Sequence, residues 1–188
     1  MRLFVAVTPS EEAVEDLDGL LAPRREAGAF RWSDPGQWHL TLAFLPDVAD
    51  RRLDDLGDRL ARAAGRRTSF ELALAGGGAF PNPARARVLW AGLRAEESAR
   101  TELDRLATGA RAAANRAGAA PEGARFRAHL TLARLGRPAE VGRWVRLLDG
   151  YAGPAWAVDE IALIASHLGE GPRNRPRHEV LDRFPLAP

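Results

Sequence analysis

Apolar positions along the chain fall into short runs of strand character, separated by longer stretches with helical spacing. Residues 2–7 form a continuous apolar run with β-branched and aromatic members, which predicts a buried first strand. Thr8-Pro9-Ser10-Glu11 reads as a helix start, with Thr8 as the cap, Pro9 at the first helical position and Glu11 three residues after the cap. Val14, Leu17, Leu20 and Leu21 make the buried stripe of this helix, and Gly28 its stop. A short strand at 30–32 and a turn at Ser33-Asp34-Pro35-Gly36 follow. Asp50 is the expected cap of a second helix carrying Leu53, Leu56, Leu60 and Ala64, with Gly65 closing it. Phe70, Leu72 and Leu74 alternate with Glu71, Ala73 and Ala75, a half-buried strand. Gly76-Gly77-Gly78 and Pro81-Asn82-Pro83 predict a wide turn, and 87–93 its partner strand. Beyond that, 96–118 is a long helix, with Leu103, Leu106, Ala110 and Ala114 inward. Pro138 is read as the start of a fourth helix and 150–154 as a linker. Strands at 157–167 and 177–184 flank an Arg/Gly/Pro-rich loop at 169–176.

One phrase occurs twice in this pattern. His39-Leu40-Thr41-Leu42-Ala43-Phe44-Leu45 and His129-Leu130-Thr131-Leu132-Ala133-Arg134-Leu135 differ at one letter and start 90 residues apart (129 − 39). Both halves read strand, helix, repeated strand, helix, then a hairpin arm. A period near 90 residues is too long for a solenoid. It predicts an α+β fold of two lobes related by a pseudo-twofold axis, with two mainly antiparallel sheets flanked by helices. No low-complexity linker interrupts the chain, so residues 1–188 are expected to form one compact domain.

Strand side chains alternate faces. In the first copy Leu40, Leu42 and Phe44 are expected toward the core, and His39, Thr41 and Ala43 toward the other face. In the second copy Leu130 and Leu132 oppose His129, Thr131 and Ala133. A core has a packing reason to keep leucines but none to keep two polar residues on the opposite face. Strict alternation puts Arg134 with the leucines, unless a bulge turns it over.

Two opposed imidazoles suit phosphoryl chemistry. One neutral histidine can take a proton from water or a hydroxyl, and one protonated histidine can give a proton to a leaving oxygen, both near pH 7. The threonines can donate hydrogen bonds to non-bridging phosphate oxygens. Neither phrase holds a carboxylate, and no His-Glu-x-x-His occurs, so a zinc site lacks its third ligand. No phosphate-binding glycine loop of known pattern and no Gly-x-Ser-x-Gly elbow is present.

Composition narrows this further. The chain has no cysteine, which removes disulfides and thiolate catalysis. No run of apolar residues is long enough for a membrane span. The first residues suit a strand better than a signal peptide, so a cytoplasmic address is the default. The net charge is +2 while the pI is about 10.2, because every basic residue except histidine is arginine. The high pI is thus weak evidence for nucleic acid, though arginine also binds phosphate bidentately. Arg173, Arg175 and Arg177 are either an RNA-guiding loop or a solvated one. Phe4 either lines the cleft between the two motifs or fills the core, the core being favoured, and His167 is placed at a loop or strand end.

The paired His-Leu-Thr-Leu motifs resemble the 2H phosphoesterase superfamily, and more narrowly the RNA 2′,3′-cyclic phosphodiesterases, also called 2′-5′ RNA ligase-like proteins. The resemblance extends over Arg2-Leu3-Phe4-Val5-Ala6, Arg31-Trp32, the first motif, Arg87-Val88-Leu89-Trp90-Ala91-Gly92, the second motif and Glu179-Val180-Leu181-Asp182-Arg183-Phe184. It implies a bilobal fold with a central groove, no metal and no cofactor. It implies hydrolysis of RNA ends carrying a 2′,3′-cyclic phosphate, by a monomer, with 2′-5′ joining of RNA ends in some members. His39 and His129 become the acid–base pair, His39 as acid and His129 as base. Thr41 and Thr131 hold the phosphate, and Arg134 is a substrate contact. His178 stands where relatives often carry tyrosine. Other readings are a phosphodiesterase on a small cyclic phosphate or a 2′-5′ oligoadenylate, and an RNA-binding module without turnover.

Overall fold

The structure is a computed structural model describing residues 1–123 and 125–188. Nine strands and four α-helices follow the order β1 (Leu3–Val7), α1 (Glu11–Leu21), β2 (Arg31–Trp32), β3 (Leu40–Leu45), α2 (Leu53–Gly65), β4 (Phe70–Phe80), β5 (Ala86–Arg94), α3 (Glu97–Arg116), β6 (Leu130–Ala139), α4 (Gly142–Asp149), β7 (Ala152–Val158), β8 (Glu160–His167) and β9 (Arg177–Pro185). All pairings between these strands are antiparallel, and the sheet runs β7-β4-β5-β6-β3-β1-β8-β9, with β2 added on β6.

The two repeated strands, β3 and β6, lie side by side at the middle of this order. They touch through a single register pair, Leu40↔Leu130. The two expected sheets are therefore two arms joined at one rung. One arm, β3-β1-β8-β9, is built from both ends of the chain; the other, β6-β5-β4-β7, comes from its middle. The helices pack in the same exchanged way. α2 and α3 pack on each other and on β9 and β3, whereas α1 and α4 pack on β7 and β4. One core joins helices and sheet, with Leu17, Leu21, Leu56, Leu60, Leu103, Leu106, Leu40 and Leu130 buried in it. A smaller cluster of Phe4, Ala6, Ala162 and Ile164, with Phe44 packed on it, lies on the other side of β1.

Several local expectations are corrected. The cap of α1 is Ser10, whose hydroxyl accepts from the Ala13 N–H at 3.2 Å; Thr8 stays outside the helix. Asp50 opens a short 3-10 turn rather than capping α2. Gly76-Gly77-Gly78 is not a turn but the interior of β4. It is glycine for a steric reason: a Cβ on Gly77 would lie 2.6 Å from the Trp90 carbonyl oxygen of β5. Pro138 starts no helix. It belongs to β6, whose outer end pairs only at Ala139↔Ala86 there, so proline loses no ladder bond. The expected linker at 150–154 holds the start of β7, and the strand expected at 157–167 is broken at Asp159 between β7 and β8.

Candidate active site

β3 and β6 share one burial pattern: the first, third, fourth and sixth residues are buried, and the second and fifth are open in part or in full. A plain alternating strand would not give it. The pairing supplies the cause. Between β1 and β3 the register steps from Val5↔Ala43 to Ala6↔Thr41, leaving Leu42 unpaired. Between β5 and β6 it steps from Leu89↔Ala133 to Trp90↔Thr131, leaving Leu132 unpaired. Each repeated strand thus has a β-bulge at its second leucine, and every later side chain changes face. Ala43 and Ala133, expected on the open face, are buried at 2% and 0% exposure. Phe44, expected in the core, and Arg134, expected with the leucines, both line a groove of about 790 Å³.

That groove collects His39, Thr41, His129, Thr131 and Arg134, all five candidate residues. The rung Leu40↔Leu130 sets the geometry. On either side of that rung, His39, Thr41, His129 and Thr131 all line the groove. Each imidazole is oriented by the same backbone device. His39 Nδ1 donates to the Gln37 carbonyl at 2.8 Å, and His129 Nδ1 donates to the Arg127 carbonyl at 2.7 Å. The carbonyl two residues back fixes the tautomer and leaves Nε2 of each ring as the free nitrogen.

The surroundings of the two rings differ. Phe4 stacks on His39 with centroids 4.4 Å apart, and His178 meets both rings edge-on, 5.0 Å from Phe4 and 5.4 Å from His39. Phe4 is buried, as expected, but on the groove side of β1 and not in the main core. Burial lowers the His39 pKa to about 4, against the pull of the Gln37 carbonyl; the neighbouring His178, His129 and Arg134 push it further down. His129 sits edge-on to Phe80 at 5.0 Å and to Trp90 at 6.2 Å. Its pKa is lowered by burial, opposed by the Arg127 carbonyl, with Arg134 and Arg127 adding to the lowering. Burial also lowers His178.

The rest of the lining is basic. Arg2, Arg31, Arg173 and Arg175 join Arg134, and Asp34 is the one acidic residue among the described lining. Arg2 lies over the Phe44 ring, 4.4 Å from its centroid. Arg177 does not join them: it pairs with Glu170 at 2.8 Å. His167, at the end of β8, pairs with Glu179 at 2.8 Å. Gln37 ties the far loop to the first motif. Its carbonyl holds His39, its Oε1 accepts from the His178 N–H at 2.7 Å, and its Nε2 donates to the Pro176 carbonyl at 3.3 Å. Among the described residues, no group of three or more His, Asp or Glu is placed to hold a metal ion. No helix among them is long and apolar enough to cross a membrane.

Sequence reading missed Phe44, Arg31, Gln37, Phe80 and Trp90 as groove or ring neighbours. For Phe44 the signal was available. It occupies the position that Arg134 holds in the second copy, so a bulge serving one serves both.

The LigT-like phosphoesterase family model matches residues 7–90 and 93–173. A protein of Archaeoglobus fulgidus named RNA 2′,3′-cyclic phosphodiesterase is 33% identical over 137 residues, covering 73% of this chain and 74% of that one. One of the same name from Thermus thermophilus is 35% identical, covering 99% and 90%. A third, from Geobacillus stearothermophilus, is 30% identical and covers 97% of this chain, which spans only 56% of that relative. Among solved structures, TT0787 of Thermus thermophilus superposes with a TM-score of 0.79 at 33% identity, covering 99% of this chain and 98% of the other. Escherichia coli LigT complexed with 3′-AMP gives a TM-score of 0.78 at 28% identity, covering 100% and 98%.

Proposed function

Because the chain belongs to the LigT-like phosphoesterase family, we propose that it is an RNA 2′,3′-cyclic phosphodiesterase, hydrolysing a terminal 2′,3′-cyclic phosphate to a 2′-phosphate. The observation that carries this reading is the matched pair of histidines. Each is held through Nδ1 by a carbonyl two residues back, which leaves its Nε2 free, and both rings line one groove together with the two motif threonines. The names of the relatives and the 3′-AMP bound by E. coli LigT support a ribonucleotide end as the occupant.

In this mechanism a water attacks phosphorus while one Nε2 removes its proton, and the other imidazole, protonated, delivers a proton to the leaving 3′ oxygen. Such acid–base assistance is worth about 10²–10⁴ in rate. Thr41 and Thr131 donate to the non-bridging oxygens, and Arg134 supplies fixed positive charge as the pentavalent phosphate forms. Both rings are depressed, so the resting pair is neutral at pH 7 and the anionic substrate induces the required proton. His129 carries the smaller burial cost and takes that proton more readily. We therefore assign His129 as acid and His39 as base, the reverse of the order expected from sequence. With a ribose hydroxyl in place of water, the same groove would join ends through a 2′-5′ bond.

We further propose that residues 1–188 act as one domain of two pseudo-symmetric lobes, as a cytoplasmic monomer. Turnover of an oligonucleotide 2′,3′-cyclic phosphate in excess chelator, with the product mapped as 2′- or 3′-phosphate, tests the reading. Activity that disappears with EDTA, or a 3′-phosphate product, overturns it. Turnover confined to small cyclic phosphates or 2′-5′ oligoadenylate replaces the substrate and keeps the chemistry.

A further inference from the structure

Arg31 and Arg134 stand directly opposite each other across β2 and β6. Like charges in that relation destabilise a sheet. Both side chains are exposed to the groove, and neither has a carboxylate partner among the described ion pairs. A third arginine lines the same groove from the far loop. Arg173 lines the groove from a left-handed backbone, φ 56°, followed by Asn174 at φ 60°. Two successive non-glycine residues in that region are strained and occur where the fold holds a side chain in place. The loop is held down beside β2, because the Arg175 guanidinium donates to the Trp32 carbonyl, one residue from Arg31. Arg175 is therefore a bolt, while Arg31 and Arg173 have no ion-pair or side-chain hydrogen-bond partner among the described residues. The lining's carboxylate, Asp34, is engaged by the Gly36 N–H at 2.9 Å.

One phosphate between the two histidines uses Arg134 and the threonines and leaves Arg31 and Arg173 unanswered. Directly opposed residues have Cβ atoms roughly 4.5–5.5 Å apart, so two arginine side chains there can each reach one of two neighbouring phosphates. Resting on the cyclic phosphodiesterase reading, we propose that Arg31, together with Arg173, binds the internucleotide phosphate on the 5′ side of the terminal nucleotide. The groove then selects an RNA strand over a cyclic mononucleotide. Arg31 is a specificity-determining residue that does not touch the reacting atoms.

The experiment compares kcat/KM for a 2′,3′-cyclic mononucleotide and for a trinucleotide ending in the same cyclic phosphate. Wild type, R31Q, R173Q and the double variant are used, with thermal melting as the fold control. R31Q is expected to lose about tenfold on the trinucleotide, and the double variant more, with less than about threefold change on the mononucleotide. The salt slope of trinucleotide binding should become shallower by about 0.7 for R31Q, the value of one lost phosphate contact on a single strand. Equal losses on both substrates, or no trinucleotide preference in wild type, overturn the proposal and leave the cyclic phosphodiesterase reading standing. Wild type that turns over neither substrate overturns the underlying reading, and the proposal with it.

Discussion

His39 and His129 occupy equivalent places in two copies of one phrase, yet the first lies face to face with Phe4 and the second meets only ring edges. The backbone around them is the same in three respects: a carbonyl two residues back holds Nδ1, a threonine follows two residues on, and a bulge falls at the second leucine. What differs is the side chain that the bulge delivers to the groove. In the first copy it is Phe44, an apolar wall with Arg2 over it; in the second it is Arg134, a fixed charge. Duplication thus supplied two identically held imidazoles, and the difference at the shared position after the bulge makes their surroundings unequal. The bulge, more than the motif letters, decides which later residue faces the groove.

The comparison can be broken most severely at the rings themselves. His39→Ala and His129→Ala should each cut kcat by about 10²–10⁴ while the thermal transition stays cooperative. Full activity in either variant would remove that half-site from the reaction. The role proposed for the Arg134 guanidinium, stabilising charge that develops in the transition state, predicts that R134F, which makes the second copy resemble the first, costs about 10²-fold in kcat/KM. A loss seen only in KM would reduce Arg134 to a ground-state contact.

The burial difference makes a prediction about acid. A histidine whose folded pKa is depressed contributes fully above its unfolded value of 6.5, and stability falls as pH drops from there toward about 4. Wild type should therefore lose about 3 kcal/mol relative to H39Q across that window, read from urea unfolding at a series of pH values. Parallel curves for the two proteins would refute it. The smallest change sharpens the cause: Phe4→Leu costs about 1 kcal/mol of packing and moves the His39 titration upward. The imidazole carbon-bound proton resonances report that shift, and an unmoved titration would assign the depression to other neighbours.

Much of this site could be read from sequence, because repetition and period are both visible in letters. The pairing of His39 with His129, and the threonines beside them, followed from a duplicated strand with its leucines on one side. The bulges at Leu42 and Leu132 could not be read. A bulge adds an unpaired residue relative to a partner strand, and nothing in a leucine reports which partner it lacks. Plain alternation therefore puts Arg134 and Phe44 on the wrong face, because the bulge resets it one or two residues earlier. The helix starting at Pro138 failed for a related reason: proline is also at home near a strand's outer end, and only the pairing separates the two cases. Gly76-Gly77-Gly78 misled because glycine marks close backbone approach as well as turns. Gln37 was invisible because its work is done by a carbonyl and by contacts to residues about 140 positions away.

The exchange of strands between the arms has a consequence for how the chain is made. During synthesis β4, β5, β6 and β7 emerge in succession and can complete the middle-built arm by themselves. β1 and β3 emerge first, but β1 has no neighbour on its outer side until β8 arrives. For most of elongation the strand that carries Phe4 is an open edge, a template for pairing with another nascent chain. A polypeptide stopped before Glu160 keeps both motifs and lacks β8, β9 and His178. Such a fragment should be aggregation-prone, with His39 short of part of its surroundings, so the segment from residue 160 to 188 is what seals the first strand.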